Sequence, residues 1–224
     1  MAAGYVLVAS PFTGPFAWSK VADVLRERGE RVAVRDVDDI VLDPPVVLVA
    51  HSGGGPHLPR LAAEIPGVTG MVLVDALLPH PGRSWAQTVP DAFAERLKAQ
   101  AVDGLLPPWP EWWGDARMRE LVPDDDLRVA FVRACPAVPA ARLDEVMPEL
   151  PDPPGVFVQL SETYAPESEA SQERGWPVLT LDAHHLALLT APDTVADAVV
   201  RAAARLTVGP GAERRPGRSR HVGP

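Results

Sequence analysis

The sequence predicts an α/β protein, a three-layer α/β/α sandwich with a mostly parallel sheet of about six strands and a helical cap inserted into it. Short, continuously apolar stretches such as residues 5–9, 46–50 and 71–74 are typical of strands buried on both faces of a parallel sheet. They alternate with segments of helical periodicity, which is the pattern of βαβ units. The alternation stops between about residues 80 and 152, where no strand is evident and helical segments are separated by prolines.

The bulk composition fits one domain and argues against several kinds of partner. A chain of 224 residues suits a single α/β unit with a substantial core, and its net charge of −9 at pH 7 argues against nucleic-acid binding. No stretch approaches the roughly 18 apolar residues of a membrane span, and the first residues lack the basic stretch of an export signal. Cys135, the only cysteine, excludes an intramolecular disulfide and is predicted to pack in the core. We therefore expect a cytoplasmic protein that binds neither membranes nor nucleic acids.

The first half of the chain is predicted to supply most of the sheet. The predicted strands cover residues 5–9, 31–37, 46–51 and 71–76, and the predicted helices cover residues 17–28 and about 56–65. In the first helix Trp18, Val21 and Leu25 recur at helical spacing, and Gly29 supplies the stop. A polar connection that ends in proline, residues 38–45, separates the second strand from the third.

The second half is predicted to hold the cap and the end of the sheet. The cap is predicted to cover about residues 80–152, with helices at residues 91–100, 115–121 and 124–133. After the cap, strands are predicted at residues 155–160 and 176–181. Helices are predicted at residues 166–175 and 192–206. The alternative interpretation is that the cap region is an ordinary helical insertion, whose tryptophans only pack within it. Residues 1–208 are expected to form one domain, and residues 209–224 a disordered basic tail.

The third predicted strand ends at a serine set among small residues. In Ala50-His51-Ser52-Gly53-Gly54 the positions two before and two after Ser52 are small, as a strained strand-to-helix turn around a serine nucleophile requires. The usual signature is G-x-S-x-G, and Ala50 departs from it by one methyl group. The alternative is a Gly-rich turn without catalytic meaning.

An aspartate and a pair of histidines follow later strands. Asp75 ends the strand after Ser52, and His184 and His185 follow the last strand. Because the carboxyl ends of parallel strands meet at one edge of the sheet, we expect these side chains to lie near Ser52. A serine nucleophile needs an imidazole to accept its proton, and the imidazole needs a carboxylate to orient it.

The order serine, aspartate, histidine resembles that of the α/β-hydrolase family, and the resemblance covers roughly residues 4–206. In that family the catalytic histidine precedes a short apolar loop, a proline and a helix, as His185 does here. The resemblance therefore implies that His185 is the general base and that His184 is its structural neighbour. It implies Asp75 as the acid. The family also uses a later position for the acid, where this sequence offers only Glu162, and that alternative stays open.

The same resemblance implies two backbone N–H donors that stabilise the oxyanion of a tetrahedral intermediate. Gly53, directly after the nucleophile, is the first. The second comes from the loop after the first strand, where Pro11 has no N–H to donate. We therefore expect the N–H of Phe12 to be the second donor, or the Ser10 hydroxyl to supplement the backbone donors. A hydroxyl at the Ser10 position is reminiscent of the plant hydroxynitrile lyase branch, which the sequence otherwise does not match closely.

The predicted substrate site lies in the cap. Trp109, Trp112 and Trp113, together with Trp85, are candidates for the wall of an apolar or aromatic pocket that binds a small molecule. No metal-ligand spacing, phosphate loop or dinucleotide fingerprint is present, so no cofactor and no metal are expected.

These features predict a cofactor-independent serine hydrolase of the esterase, thioesterase or lactonase type, acting on a small to medium apolar acyl substrate. One alternative is a lyase or cyclase of a biosynthetic pathway that uses Ser52 and His185 for proton transfer without hydrolysis. Another is a relative that binds a ligand and has no enzymatic activity. The oligomeric state does not follow from these residues.

Overall fold

The computed structural model describes residues 3–35 and 43–206, which hold eight strands and eight α-helices. The strands are, in chain order, β1 Gly4–Val8, β2 Val32–Arg35, β3 Val46–Ser52, β4 Val68–Ala76, β5 Leu105–Leu106, β6 Val138–Pro139, β7 Gly155–Gln159 and β8 Val178–Thr180. The α-helices are α1 Ser19–Glu27, α2 Leu58–Glu64, α3 Asp91–Ala99, α4 Asp115–Leu121, α5 Asp125–Ala134, α6 Ala165–Glu173, α7 Ala187–Thr190 and α8 Pro192–Leu206.

Six of the strands form one parallel sheet in the order β2-β1-β3-β4-β7-β8. The interior strands β1, β3, β4 and β7 are almost completely buried, which explains why their sequences are continuously apolar rather than alternating. The predicted parallel sheet of about six strands is confirmed. β3, which ends in Ser52, lies in the middle of this sheet between β1 and β4.

The interior strands contribute side chains alternately to two hydrophobic clusters, one on each face of the sheet. Val47 and Val49 of β3 belong to a cluster that α1 and α8 cover. Val46, Leu48 and Ala50 belong to the other cluster, which α2 and α6 cover. The sheet with a helical layer on each face confirms the predicted three-layer sandwich.

Residues 77–154, between β4 and β7, hold α3, α4 and α5, and we call them the inserted segment. Their buried side chains, among them Trp109, Trp112 and Phe131, form most of a third cluster. Its other members are Phe12, from the loop after β1, and Ala17, Leu186 and Leu189. The third cluster therefore joins the inserted segment to the edge of the sheet at which the parallel strands end.

Two expectations about short elements are wrong. No strand is predicted in the inserted segment, but β5 and β6 form a small antiparallel ladder there. Each of these strands has only two residues and one includes a proline, so neither carries a strand periodicity. The apolar loop predicted after His185 contains the single helical turn α7, which is too short to show helical spacing.

Two predictions fall on residues outside the described ones: the basic tail, residues 209–224, and most of the polar connection, residues 38–45. Within the described residues, no helix is long and apolar enough to cross a membrane. The cytoplasmic location stays a prediction.

Candidate active site

Ser52 ends β3 in a left-handed backbone conformation, with φ at 54°. This conformation is uncommon outside glycine, and at a strand-to-helix turn it lifts the side chain above the end of the sheet. The turn leads directly into a short 3₁₀ helix, Gly55–His57, and then α2. Its close packing explains the small neighbours. A Cβ atom at Gly54 would lie 3.0 to 3.1 Å from three backbone carbonyl oxygens, and Ala50 is fully buried.

Asp75 occupies a β-bulge at the end of β4. The register passes from His51 opposite Val74 to Ser52 opposite Ala76, so Asp75 is the extra residue, and its φ is 43°. A bulge takes a side chain out of the regular alternation and is common beside active sites. The bulge places a fully buried carboxylate at the carboxyl end of the strand next to that of Ser52.

The Asp75 carboxylate accepts four hydrogen bonds. Oδ1 accepts from the backbone N–H groups of Leu160 at 2.8 Å and Ser161 at 3.0 Å. Oδ2 accepts from the Ser161 hydroxyl at 2.7 Å and from Nδ1 of His185 at 2.9 Å. Burial alone raises the pKa of Asp75, but the hydrogen bonds and the nearby imidazole outweigh burial, and the net effect lowers the pKa. The carboxylate is therefore ionised at neutral pH and keeps the imidazole proton on Nδ1, which leaves Nε2 of His185 able to accept a proton.

Two of the three predicted catalytic side chains, Ser52 and His185, line one cavity of about 520 Å³, and the third, Asp75, is bonded to Nδ1 of His185. Within the described residues, a hydrogen bond joins His185 to Asp75, and none joins the Ser52 hydroxyl to His185. A hydrogen bond between nucleophile and base is often long until substrate is bound. Glu162, the alternative acid, is exposed, and His185 contacts Asp75 instead.

Two other histidines lie next to His185. Nε2 of His51 donates a hydrogen bond to the His185 carbonyl oxygen at 2.9 Å, and the two rings are 4.3 Å apart. Burial, helped by the neighbouring His185, lowers the pKa of His51 to about 3, so His51 is neutral. His184 is not part of the cavity wall, and its Nε2 contacts the Thr190 hydroxyl at 3.0 Å.

The two predicted oxyanion donors lie beside Ser52. A Cβ atom at Gly53 would lie 3.1 Å from the Ser10 hydroxyl oxygen and 3.1 Å from the Phe12 ring, so these groups are adjacent, and Gly53 and Phe12 both line the cavity. The N–H of Phe12 already donates to Oγ of Ser10 at 3.3 Å. A substrate oxyanion would therefore compete with Ser10 for this N–H.

Aromatic side chains dominate the cavity wall. The predicted Trp109, Trp112 and Trp113 all line it. Trp109 and Trp112 are also packed in the third cluster, with 7% and 6% of their surface exposed, whereas Trp113 is 46% exposed. The other aromatic residues of the wall, apart from His185, are Phe12, Trp85, Phe93 and Tyr164. Charged side chains are few in this wall and include Arg117 and Glu167.

The structure adds two residues that the sequence analysis does not single out. Ser161 binds the Asp75 carboxylate through both its N–H and its hydroxyl. Tyr164 stacks on the His185 ring, with the ring centroids 5.0 Å apart, and lines the same cavity as Ser52. Both lie in the turn after β7, beside Glu162. The family's later position for the acid was the available signal that this turn belongs to the site.

No metal-binding cluster and no ionised thiol are found in the described part of the chain. Among residues 3–35 and 43–206, no group of three or more His, Cys, Asp or Glu side chains is arranged to hold a metal ion. Cys135 is buried, and its thiol donates to the Thr13 carbonyl oxygen at 3.7 Å. Burial raises the pKa of this thiol to about 12, so it is protonated at neutral pH.

Comparisons with known proteins agree on the fold. Residues 2–198 match the model of a family described as the alpha/beta hydrolase family. An extracellular alpha/beta-hydrolase from a Paenibacillus species, described as sharing structural and functional homology with tobacco salicylic acid binding protein 2, is 18% identical with a TM-score of 0.70, and the match covers 90% of this chain and 99% of that one. Tomato methylketone synthase I is 16% identical with a TM-score of 0.66, covering 92% and 99%. A pyrethroid hydrolase from Sphingobium faniae JZ-2 is 18% identical with a TM-score of 0.67, covering 94% and 99%. A comparison with curated protein sequences gives no significant match.

Proposed function

Because the chain belongs to the alpha/beta hydrolase family, we propose that it is a cofactor-independent serine hydrolase that cleaves an ester, thioester or lactone of a small to medium apolar molecule. Ser52 is the nucleophile, His185 transfers the proton, and Asp75 orients the imidazole. The observation that supports this most directly is the left-handed Ser52 at a cavity that it shares with His185, whose Nδ1 is bonded to the buried Asp75 carboxylate.

Acylation of Ser52 proceeds in two steps in this proposal. Nε2 of His185 takes the hydroxyl proton while Oγ of Ser52 forms a bond to the substrate carbonyl carbon, and the carbonyl electron pair moves onto its oxygen. The N–H of Gly53 stabilises that oxyanion, with Phe12 as the second donor. When the oxyanion collapses, the bond from carbon to the leaving oxygen or sulfur breaks, and the leaving group takes the proton from His185.

Deacylation repeats these steps with water. His185 removes a proton from the water as its oxygen attacks the acyl carbon, and the bond between that carbon and Oγ of Ser52 then breaks. The proton on His185 returns to Oγ, which restores the free enzyme. The released carboxylic acid and the first leaving group together account for the substrate plus one water.

The cavity supports an apolar substrate. Its volume of about 520 Å³ lies within the range of small-molecule sites, which is roughly 300–1,000 Å³. The aromatic wall offers dispersion and stacking contacts, while Glu167 in the wall and the Asp75 carboxylate bonded to His185 disfavour an anionic acyl group near His185. Aryl esters and esters of medium-chain acids are therefore the first substrates to test.

The experiment is labelling with a fluorophosphonate probe, read by intact-mass spectrometry. We expect the wild-type protein to gain one phosphonyl group and Ser52→Ala to gain none, with a loss of kcat for p-nitrophenyl esters of about 10³-fold or more. Ser171→Ala removes a buried hydroxyl of α6 that is bonded to the Glu167 carbonyl oxygen, and it serves as the control that should retain full labelling.

Three results would contradict the proposal. Labelling that persists in Ser52→Ala would show that another residue reacts. Turnover of a substrate without an acyl-enzyme would favour a lyase or cyclase. A ligand that binds tightly and is never consumed would favour a binding protein.

A further inference from the structure

His51 connects the strand of the nucleophile to the loop of the base. It directly precedes Ser52 in β3, and only 1% of its surface is exposed. Its Nε2 donates a hydrogen bond to the backbone carbonyl oxygen of His185 at 2.9 Å, and the two imidazole rings are 4.3 Å apart and tilted by 34°. One side chain therefore reaches from the residue beside the nucleophile to the main chain of the base.

We propose that His51 is a positioning residue, whose hydrogen bond to the His185 carbonyl oxygen holds the general base at the distance from Ser52 that proton transfer requires. This role rests on the proposed function, because it requires Ser52 and His185 to exchange a proton. His51 is not part of the cavity wall, so it acts through His185 and not on the substrate.

The sheet alone does not set the distance between nucleophile and base. In the strand order β4 and β7 lie between β3 and β8, so β8 is three strand spacings, or about 14 Å, from β3. His185 follows β8, which ends at Thr180, and it shares the cavity with Ser52 only because the loop after β8 folds back. The hydrogen bond from His51 joins this loop directly to β3, without the two intervening strands.

The hydrogen bond from His51 also complements the contact with Asp75. The Asp75 carboxylate holds the imidazole of His185 at a single atom, Nδ1, at 2.9 Å. This contact alone leaves the ring able to turn about Nδ1 and to move together with its loop. A second fixed point on the His185 main chain removes much of that freedom. A catalytic group displaced by about 1 Å can lose roughly 100-fold in rate, so a fixed base contributes directly to catalysis.

The surroundings of His51 are those of an apolar residue. Its side chain lies on the same face of β3 as Val47 and Val49, and its ring lies 6.2 Å from that of Trp18, which belongs to the same cluster as these valines. Nδ1 of His51 is buried and has no hydrogen-bond partner among the described residues. A buried nitrogen without a partner costs stability that an apolar side chain would not. Packing therefore does not explain a histidine here, whereas the hydrogen bond from Nε2 does.

Three substitutions separate this hydrogen bond from packing. His51→Phe keeps an aromatic ring and loses the donor, His51→Leu loses both, and His51→Gln keeps an N–H group that can donate to the carbonyl oxygen. We expect His51→Phe and His51→Leu to react with the fluorophosphonate probe about 10- to 100-fold more slowly than wild type, with a similar fall in kcat for p-nitrophenyl esters. His51→Gln should recover most of the lost rate. KM should change by less than about twofold in all three, because His51 does not line the cavity.

Melting temperatures provide a second measurement. His51→Phe removes the unpartnered Nδ1 together with the hydrogen bond, so its melting temperature should stay close to that of wild type while its activity falls. A residue that only supported the fold would lose activity in step with stability. His184→Phe is the control: it replaces the neighbouring histidine, which contacts Thr190 and does not line the cavity, and it should label at close to the wild-type rate.

Several results would overturn this role. Labelling of His51→Phe within about twofold of wild type would show that the hydrogen bond does not position the base. A His51→Gln variant as slow as His51→Phe would assign the effect to packing. If neither His51→Phe nor His51→Leu folds, His51 is needed for the fold itself and the positioning role is wrong. A wild-type protein that the probe does not label would instead contradict the proposed function, whatever the His51 variants do.

Discussion

Ser52 and Asp75 end neighbouring strands, and both have left-handed backbone conformations without being glycine. Each such conformation costs about 1–3 kcal/mol, so the surrounding structure must hold it in place. For Asp75 the four hydrogen bonds on its carboxylate do so. For Ser52 the close packing of the turn at Gly54 does so. The two strained residues bring the side chains together where a regular pair of strands would not.

Asp75→Asn tests the carboxylate that faces His185. The amide has nearly the same shape but no charge, and its NH₂ group can face Nδ1 and force the proton onto Nε2, where it blocks proton transfer. We expect kcat to fall by about 10³- to 10⁴-fold with little change in KM, measured with p-nitrophenyl esters. Circular dichroism should show that the variant is folded.

Glu162→Gln is the matched control for that substitution. Glu162 is exposed, so its neutralisation should change kcat by less than about twofold. If Glu162→Gln lost as much activity as Asp75→Asn, the assignment of the acid to β4 would be wrong.

At the scale of elements, the inserted segment contributes two tryptophans with different surroundings. Trp112 is buried in the third cluster and donates its indole N–H to the Pro107 carbonyl oxygen at 2.8 Å. Trp113 is nearly half exposed and stacks on Phe93 at the cavity wall. Both tryptophans line the cavity, but only Trp112 is also part of the hydrophobic core.

Alanine substitutions should separate these two roles. Trp113→Ala is expected to raise KM for aryl and medium-chain esters by about 2- to 10-fold, since it removes aromatic contacts, and to leave the melting temperature almost unchanged. Trp112→Ala should lower the free energy of unfolding by about 3–5 kcal/mol, measured by urea denaturation. If Trp113→Ala left KM unchanged for esters of every chain length, Trp113 would not contact the substrate.

Much of the element order could be predicted from the sequence because buried parallel strands are continuously apolar and the helices show clear spacing. The exceptions have physical reasons. β5 and β6 depend on pairing between residues more than thirty positions apart, and two residues carry no periodicity. The bulge at Asp75 shifts the register without changing composition, so the sequence predicted an acid at this strand end but not its conformation.

The candidate site was predictable to a similar extent. The positions of Ser52, Asp75 and His185 at strand ends follow from the order of the elements. Their partners Ser161 and Tyr164 do not, because their roles depend on how the turn after β7 folds back over β4 and the loop after β8. Nothing in their spacing distinguishes them from other turn residues.

At the scale of the whole molecule, buried titratable groups make the folded state sensitive to acid. The pKa of His51 is lowered from 6.5 to about 3, so the unfolded chain binds more protons than the folded one between these values. The free energy of unfolding should therefore fall by up to about 1.4 kcal/mol per pH unit as the pH drops from 6.5 towards 3. Asp75 has a lowered pKa, so its contribution is present above the unfolded value of 3.8 and is lost as the pH falls through its folded pKa.

Urea denaturation at several pH values checks this dependence. Wild type should lose stability steadily below pH 6.5, and His51→Gln, which cannot titrate, should show a shallower slope over the same range. Equal slopes for the two proteins would mean that His51 is not a buried neutral histidine.

The third cluster has a consequence for how this protein can change over time. Phe12, Trp109 and Trp112 line the cavity and also join the inserted segment to the ends of the sheet. Mutations at these positions that adapt the cavity to a new substrate must also weaken the packing that keeps the chain folded, so they need compensating substitutions before they can persist. Trp113 lies outside that constraint, since it is partly exposed and touches the cavity. Selectivity should therefore diversify first at such positions, in natural variants and in laboratory evolution alike.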